Sequence, residues 1–330
     1  MNIKNKNVVV TGAGGFIASH LTEELVRRGA NVKALVHYNS RNDWGLLELA
    51  EKDLLDKAEV LFGDVTDPFF VRNATKDADI VFHLAALIGI PYSYVAPENY
   101  VNVNIKGTLN VLQAGLDNGV EKIVHTSTSE TYGTAEYTPI DEKHPLKGQS
   151  PYSASKIGAD KLAESYYRSF DLPVATIRPF NTFGPRQSAR AIIPTIISQV
   201  LTKDEIHLGS LSPIRDLTFV NDTVNGFIEI GTLEQSIGEV INIGTGSGVS
   251  IGELLQRILT ITEKEDMKII EDQKRIRPDK SEVMELVCDN SKAKQLLNWS
   301  PEYTLNEGLA ETIEWMREYT NLYKTGMYVI

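Results

Sequence analysis

Cysteine is nearly absent: Cys288 is the only one in 330 residues. That excludes an internal disulfide and a cysteine-built zinc site, and it fits a reducing compartment. Histidine is scarce and scattered. His20, His37, His83, His125, His144 and His207 stand at no metal-ligand spacing from a second His, Cys or carboxylate, so no metal is expected. No apolar run is long enough to span a bilayer, and the polar start Met1-Asn2-Ile3-Lys4-Asn5-Lys6 lacks the pattern of a signal peptide. A soluble, cytoplasmic protein is the expectation. Positive charge is in deficit: 33 Lys and Arg against 44 Asp and Glu give a net charge of -11. With no basic block to reverse it locally, that field repels nucleic acid and anionic membrane. Internal repeats, low-complexity segments and linker-like stretches are also missing, so any lobes should be packed together.

What is present is an alternation. Asn7-Val8-Val9-Val10-Thr11 reads as a strand, Gly12-Ala13-Gly14-Gly15-Phe16-Ile17-Ala18 as a glycine turn, and Ser19 to Arg28 as a helix. Strand-like runs recur at Val32 to Val36, Glu59 to Phe62, Ile80 to Leu84, Lys122 to Thr126 and Val174 to Ile177, several of them separated by helical stretches. This predicts an α/β fold with a Rossmann-like, doubly wound parallel sheet. From Asn181 onward Gly184-Pro185, Ser212-Pro213, Gly244-Thr245-Gly246 and Arg277-Pro278 punctuate shorter elements. The expected division is a dinucleotide-binding domain over 1–180, to which a segment near 214–243 returns, and a smaller substrate-binding lobe over 181–330. The cleft between them is the expected site.

Two patterns carry chemistry. Gly12-x-x-Gly15-x-x-Ala18 supplies the tight turn and close backbone approach that a pyrophosphate needs, with the helix N-terminus providing amide donors. Tyr152-x-x-x-Lys156 puts a phenol and an ammonium on one face of a helix expected over Ala154 to Tyr167. An adjacent ammonium and a cationic nicotinamide favour the phenolate, so Tyr152 can remove a hydroxyl proton during hydride transfer. Shortly before it, Ser127-Thr128-Ser129-Glu130-Thr131-Tyr132-Gly133 adds a carboxylate, a second base.

The glycine spacing resembles the extended short-chain dehydrogenase/reductase family. The resemblance continues through Gly63-Asp64-Val65, His83-Leu84-Ala85-Ala86, Asn104-x-x-Gly107-Thr108, Tyr152-x-x-x-Lys156, Arg178-Pro179-Phe180-Asn181-x-x-Gly184-Pro185 and Arg215-Asp216-x-x-x-Val220-x-Asp222. It implies that Gly12, Gly14, Gly15, Phe16 and Ile17 hold the cofactor's pyrophosphate and that Asp64 and Val65 contact adenine. Leu84, Ala85, Ala86 and Asn104, with Tyr152 and Lys156, would complete the cofactor groove. One departure lies after the second strand, where NAD-preferring relatives carry an acid and this chain reads Leu35-Val36-His37-Tyr38-Asn39-Ser40-Arg41. His37, Ser40 or Arg41 would meet a 2′-phosphate there, so the cofactor is expected to be NAD(P), with NADP favoured over NAD.

Within that family, Thr128 matches the hydroxyl residue that bonds a sugar's C4 hydroxyl, and Ser129-Glu130 matches the pair found in GDP-mannose 4,6-dehydratases. C4 oxidation acidifies the C5 hydrogen, and Glu130 over C5 would remove it and expel the C6 hydroxyl as water. Ser129 leaves the acid for that hydroxyl open: Glu130 itself, a water or a relay. His37-Tyr38-Asn39-Ser40-Arg41, Ile90 to Pro97, His125 to Glu130 and Asn181 to Arg190 are closer still to soluble N-acetylglucosamine 4,6-dehydratases of the legionaminic-acid pathway and related surface-sugar pathways. That resemblance implies a UDP- or GDP-linked N-acetylglucosamine. Ser93, Asn181 and Arg190 would lie near it, and Arg215 and Arg277 would neutralise its diphosphate, Arg275 being the substitute for Arg277. It also implies a homodimer through the stretch Asn99 to Leu116 and the helix bearing Tyr152. The rivals are a 4-epimerase, which has no task for Glu130, and a non-catalytic dinucleotide sensor or scaffold, which has none for Tyr152 and Lys156.

Overall fold

The structure, a computed structural model, describes residues 2–272 and 283–323. Among the described residues thirteen strands run in order: β1 Asn7–Thr11, β2 Asn31–His37, β3 Glu59–Gly63, β4 Ile80–His83, β5 Lys122–Thr126, β6 Val174–Pro179, β7 Asn181–Phe183, β8 Glu205–Leu208, β9 Ile214–Phe219, β10 Val240–Ile243, β11 Gly248–Ser250, β12 Lys268–Glu271 and β13 Glu285–Leu286. Seven of them form one sheet, ordered β10-β6-β5-β4-β1-β2-β3, in which every pairing is parallel. A parallel sheet needs helices on both faces, and its strands are therefore largely apolar. Alternate residues feed two cores. Val8, Val10, Ile80 and Phe82 pack with Leu21 and Leu25 of helix Phe16–Arg27 and Phe227 of helix Val220–Thr232. Val9, Val81 and Ile123 pack with Val111 and Leu112 of helix Gly107–Asn118 and Ala163 of helix Pro151–Phe170. Burial of each such large side chain is worth about 1.5–3 kcal/mol. The doubly wound parallel sheet expected from the strand-like runs is the observed one.

The chain winds outward from β1 to β3 and then restarts at β4 on β1's other side. That reversal opens a crevice beyond the C-terminal ends of β1 and β4. The smaller lobe covers it. Strands β7, β9, β11 and β13 form one sheet and β8 and β12 pair separately, backed by helices Ile192–Thr202, Ile251–Thr262 and Leu305–Glu318. Helix Val220–Thr232 and β10 return to the large sheet, whereas β9 stays in the lobe. The lobes share one apolar core. They are also joined by Arg186, whose buried guanidinium meets Glu23 of helix Phe16–Arg27 at 2.8 Å.

Helix Pro151–Phe170 begins three residues before the expected Ala154. Ser150 caps it reciprocally with Ser153, and Pro151 occupies the first turn, where its missing N–H costs nothing. Tyr152 is thereby inside the helix, with Lys156 one turn on and Asp160 one turn further, all on one face.

Candidate active site

A cavity of about 1090 Å³ occupies the crevice. Its floor is the glycine turn. Gly12 has φ +72°, and a Cβ there would stand 2.8 Å from Ala85 Cα, so glycine is required twice over. Thr11 Oγ1 accepts from Leu84 N at 3.1 Å and Ala85 N at 3.0 Å, which ties the end of β1 to the end of β4. Gly15 starts helix Phe16–Arg27 with no side-chain cap and no acid in the first turn. Its first amides and positive dipole end are thus left for an anion. Gly12, Gly14, Gly15, Phe16, Ile17, Asp64, Val65, Leu84, Ala85 and Ala86 all line the cavity.

At the β2 end the expected 2′-phosphate site is not assembled. Arg41 pairs with Asp43 at 3.3 Å, and His37 with Asp64 at 3.3 Å. Asn39 folds the loop locally, its Oδ1 accepting from Arg41 N and Asp43 N. Burial raises the Asp64 carboxyl, but the Thr66 amide and hydroxyl and the nearby His37 hold it below its usual range. Arg41 and His37 on this wall therefore each face a carboxylate that would repel a phosphate. His37 and Arg41 line the cavity, while Ser40 is exposed outside the lining.

At the other end the Thr128–Thr131 segment forms a tight turn. Thr128 Oγ1 accepts from Glu130 N at 3.3 Å and Thr131 Oγ1 donates to Thr128 O at 2.7 Å. Thr128, Ser129, Glu130, Tyr152 and Lys156 are brought together on one stretch of wall. The Tyr152 hydroxyl is hydrogen-bonded to Thr128. Lys156 Nζ donates to Thr126 O. Burial pushes the Tyr152 phenol above its usual range; the Thr128 hydrogen bond opposes this and the Glu130 charge adds to it. Burial brings the Lys156 ammonium down to about 8, with Asp160 opposing. Glu130 has no cationic partner among the described residues. Among the described residues three carboxylates line the cavity, Asp43, Asp64 and Glu130, and Glu130 is the one beside Tyr152.

Of the expected substrate residues, Asn181, Arg190 and Arg215 reach the wall. Asn181 Oδ1 is buried without a hydrogen-bond partner among the described residues. Arg190 Nε donates to Ser188 Oγ at 3.4 Å, and Arg215 Nη1 donates to Ile214 O at 2.9 Å. Two further expected residues do not line the cavity. Ser93 is fully buried and donates to Ile90 O at 2.6 Å, away from the lining. Asn104 is buried in the π-helical segment Val101–Lys106 and clamps Leu87, accepting from its N–H at 2.8 Å and donating to its carbonyl at 2.9 Å. It shapes the groove without lining it. Arg275 and Arg277 lie outside the described residues. Missing from the sequence reading are Asp43 and Trp44 after β2, and Leu208, Ser210, Pro213 and Ile251 from the lobe. Asp43, two residues beyond Arg41, was a readable signal; the lobe positions form no local pattern.

His83 is held by Thr11 and Thr108 at 2.9 and 3.0 Å, a structural arrangement. Among the described residues no group of three His, Cys, Asp or Glu could hold a metal ion, and no helix is long and apolar enough to cross a membrane.

Residues 9–312 match the protein-family model described as GDP-mannose 4,6 dehydratase. The chain is 32% identical to a UDP-glucose 4-epimerase of Mycolicibacterium smegmatis over 94% of its own length and 98% of that protein's. It is likewise 32% identical to the dTDP-D-glucose 4,6-dehydratase of Homo sapiens, covering 95% and 90%. The crystal structure of DesIV, a dTDP-glucose 4,6-dehydratase of Streptomyces venezuelae with NAD bound, superposes with a TM-score of 0.88 at 26% identity, over 96% of this chain and 99% of that one. The chain belongs to this family of nucleotide-sugar dehydratases and 4-epimerases.

Proposed function

We propose that this member of the family is a 4,6-dehydratase of UDP- or GDP-linked N-acetylglucosamine with NAD as its cofactor. The observation that carries the reading is Glu130, a carboxylate beside Tyr152 on the cavity wall, with no cation of the described residues to neutralise it. The uncapped helix N-terminus at Gly15 and the space kept by Gly12 suit a dinucleotide's diphosphate. NAD is chosen over NADP because Arg41 and His37 already face Asp43 and Asp64. Arg190 and Arg215 supply local positive charge for the sugar nucleotide's diphosphate inside an acidic protein. The N-acetylglucosamine moiety rests on the resemblance of Ile90 to Pro97 and Asn181 to Arg190.

In the proposed reaction Thr128 orients the C4 hydroxyl and Tyr152 takes its proton as C4 becomes a ketone, Lys156 holding positive charge nearby. NAD, held at the turn over residues 12–17, would supply the acceptor for the C4 hydride and the hydride that ends on C6. Glu130 removes the acidified C5 proton and delivers it to the departing C6 oxygen, which leaves as water. Ser129 is too weak an acid for that step, so one carboxylate serves as base and then as acid. Solvent supplies the proton that ends on C5, and the product is a 4-keto-6-deoxy sugar with no net redox change.

The test uses UDP- and GDP-N-acetylglucosamine in heavy water with mass and NMR analysis. Wild type should yield a product lighter by one water and deuterated at C5. Glu130→Gln should lower dehydration by about a hundredfold or more. Interconversion of gluco and galacto isomers without C5 label would instead establish the 4-epimerase reading, which the epimerase relatives favour. We also read a homodimer from exposed Leu109, Tyr167 and Phe170 on helices Gly107–Asn118 and Pro151–Phe170. A one-chain mass in sedimentation would remove it.

A further inference from the structure

Behind the turn that carries Glu130 lies a charged network that reaches the cavity only through other residues. Arg178 of β6 is 3% exposed, and its guanidinium donates in three directions. Nε reaches Ser127 Oγ at 3.2 Å, Nη1 reaches Tyr132 Oη at 2.8 Å, and Nη2 reaches Asp160 Oδ2 at 2.8 Å. Its Cζ also lies 4.7 Å from the Tyr132 ring centre. Ser127 and Tyr132 are the two residues that bracket the Thr128–Thr131 turn, so a single side chain grips the turn at both ends. Asp160 closes the figure: Oδ2 accepts from Ser127 Oγ at 2.6 Å, and Oδ1 lies 3.0 Å from His125 Nε2. Tyr132 passes the connection on by donating to Asn242 Oδ1 of β10 at 2.7 Å, and Asn242 Nδ2 donates to Ile140 O at 3.1 Å.

Asp160 stands one turn beyond Lys156 and two beyond Tyr152 on the same helix face. The carboxylate bound by Arg178 is therefore rigidly attached to the pair that oxidises C4, while the other arms of Arg178 are attached to the turn that carries Thr128 and Glu130. A buried ion pair gives little net stability over apolar packing, and its use is to specify one arrangement. Here the arrangement specified is the spacing between the Glu130 turn and the Tyr152–Lys156 face. Arg178, Asp160, His125 and Tyr132 are absent from the cavity lining, so they act through the residues they hold.

We infer that Arg178 and Asp160 are positioning residues that fix the Thr128–Glu130 turn against the Tyr152–Lys156 face and so set the rate of the chemical steps without contributing to binding. The role of Glu130 in this inference rests on the dehydratase reading; that of Thr128 holds for either family reaction. Positioning of this kind is worth up to about a hundredfold in rate for a displacement near 1 Å.

The experiment compares Tyr132→Phe, Arg178→Lys and the apolar double variant Arg178→Met/Asp160→Leu with wild type. Turnover of UDP- and GDP-N-acetylglucosamine is measured on whichever reaction the wild type performs. Hydrogen exchange of the peptide spanning residues 127–133 is followed by mass spectrometry, independently of any substrate. The expected result is faster exchange in that peptide, a kcat lowered about ten- to hundredfold, and a KM and NAD content within about threefold of wild type. Arg178→Lys should fail to restore kcat, because an ammonium cannot grip three partners in a fixed fork. A folded double variant or Tyr132→Phe enzyme with wild-type kcat overturns the inference, as does unchanged exchange in residues 127–133. If the double variant does not fold, Tyr132→Phe decides, since it keeps the ring and removes one hydroxyl. A Glu130→Gln enzyme that still dehydrates, beside a slowed Tyr132→Phe enzyme, would remove Glu130 as the C5 base and leave the positioning role standing through Thr128.

Discussion

Behind Tyr152 the polar side chains are buried and bonded to one another, whereas beside β2 the charges stand in water. Arg178 and Asp160 are 3% and 6% exposed, while Arg41 and Asp43 are 82% and 42% exposed at their own contact. An exposed pair is screened and mobile, and water replaces either partner at little cost. Removing one member of a buried pair leaves an unpaired charge in a poorly polarisable interior, a loss of about 3–5 kcal/mol. The cavity is thus rigid where bonds would be broken and permissive where an adenosine ribose would be held. Atom placement matters to within an ångström for proton transfer and far less for a solvated hydroxyl contact.

The sharpest way to break this comparison is at the rigid end. Tyr152→Phe removes one oxygen and little contact area, so turnover should fall by at least about a hundredfold while NAD and sugar-nucleotide binding persist. An active Tyr152→Phe enzyme would show that another group takes the C4 proton. The same end has a pH signature. With burial bringing Lys156 to about 8 from its usual 10.5, kcat should decline on the alkaline side as the ammonium is lost near pH 8. Stability moves the other way. Between about 8 and 10.5 the unfolded chain binds more protons at this group than the folded chain, so Lys156 contributes added stability as pH rises through that window. A pH–rate profile flat from 7 to 10 would detach Lys156 from the reaction.

The smallest effect is expected at the permissive end. Arg41→Ala should change NAD affinity by less than about threefold and should not reverse a preference for NAD, because its charge is already met by Asp43 in water. Titration of both cofactors against the variant checks this. A tenfold selective loss of NADP binding would restore the 2′-phosphate site and erase the contrast between the two ends.

Local pattern made much of this legible. Short apolar runs between turn signals matched buried strands, and the glycine turn after Thr11 holds a left-handed residue with a close neighbour. The four-residue spacing of Tyr152 and Lys156 fixed their common face, and the same period extended by one turn would have picked out Asp160. Elsewhere a side chain's direction was set by a contact that no motif records. Ser93 and Asn104 carry motif-like positions, yet one turns back on its own helix and the other clamps Leu87. Arg41 looked like a phosphate ligand until the loop folded by Asn39 brought Asp43 to it.

By itself, then, the sequence determined the winding of the sheet, the glycine cradle and the identity of the groups in the Thr128, Glu130, Tyr152 and Lys156 cluster, because each is written within one strand, turn or helix face. The tertiary structure alone decided that Arg178 grips both ends of the Glu130 turn, that Asp160 binds this grip to the helix of Tyr152, and that the lobe closes over the crevice. Those contacts join residues 18 to 51 positions apart on different elements. No periodicity records them, because they exist only once β5, β6 and helix Pro151–Phe170 have been packed side by side by the burial of their apolar faces.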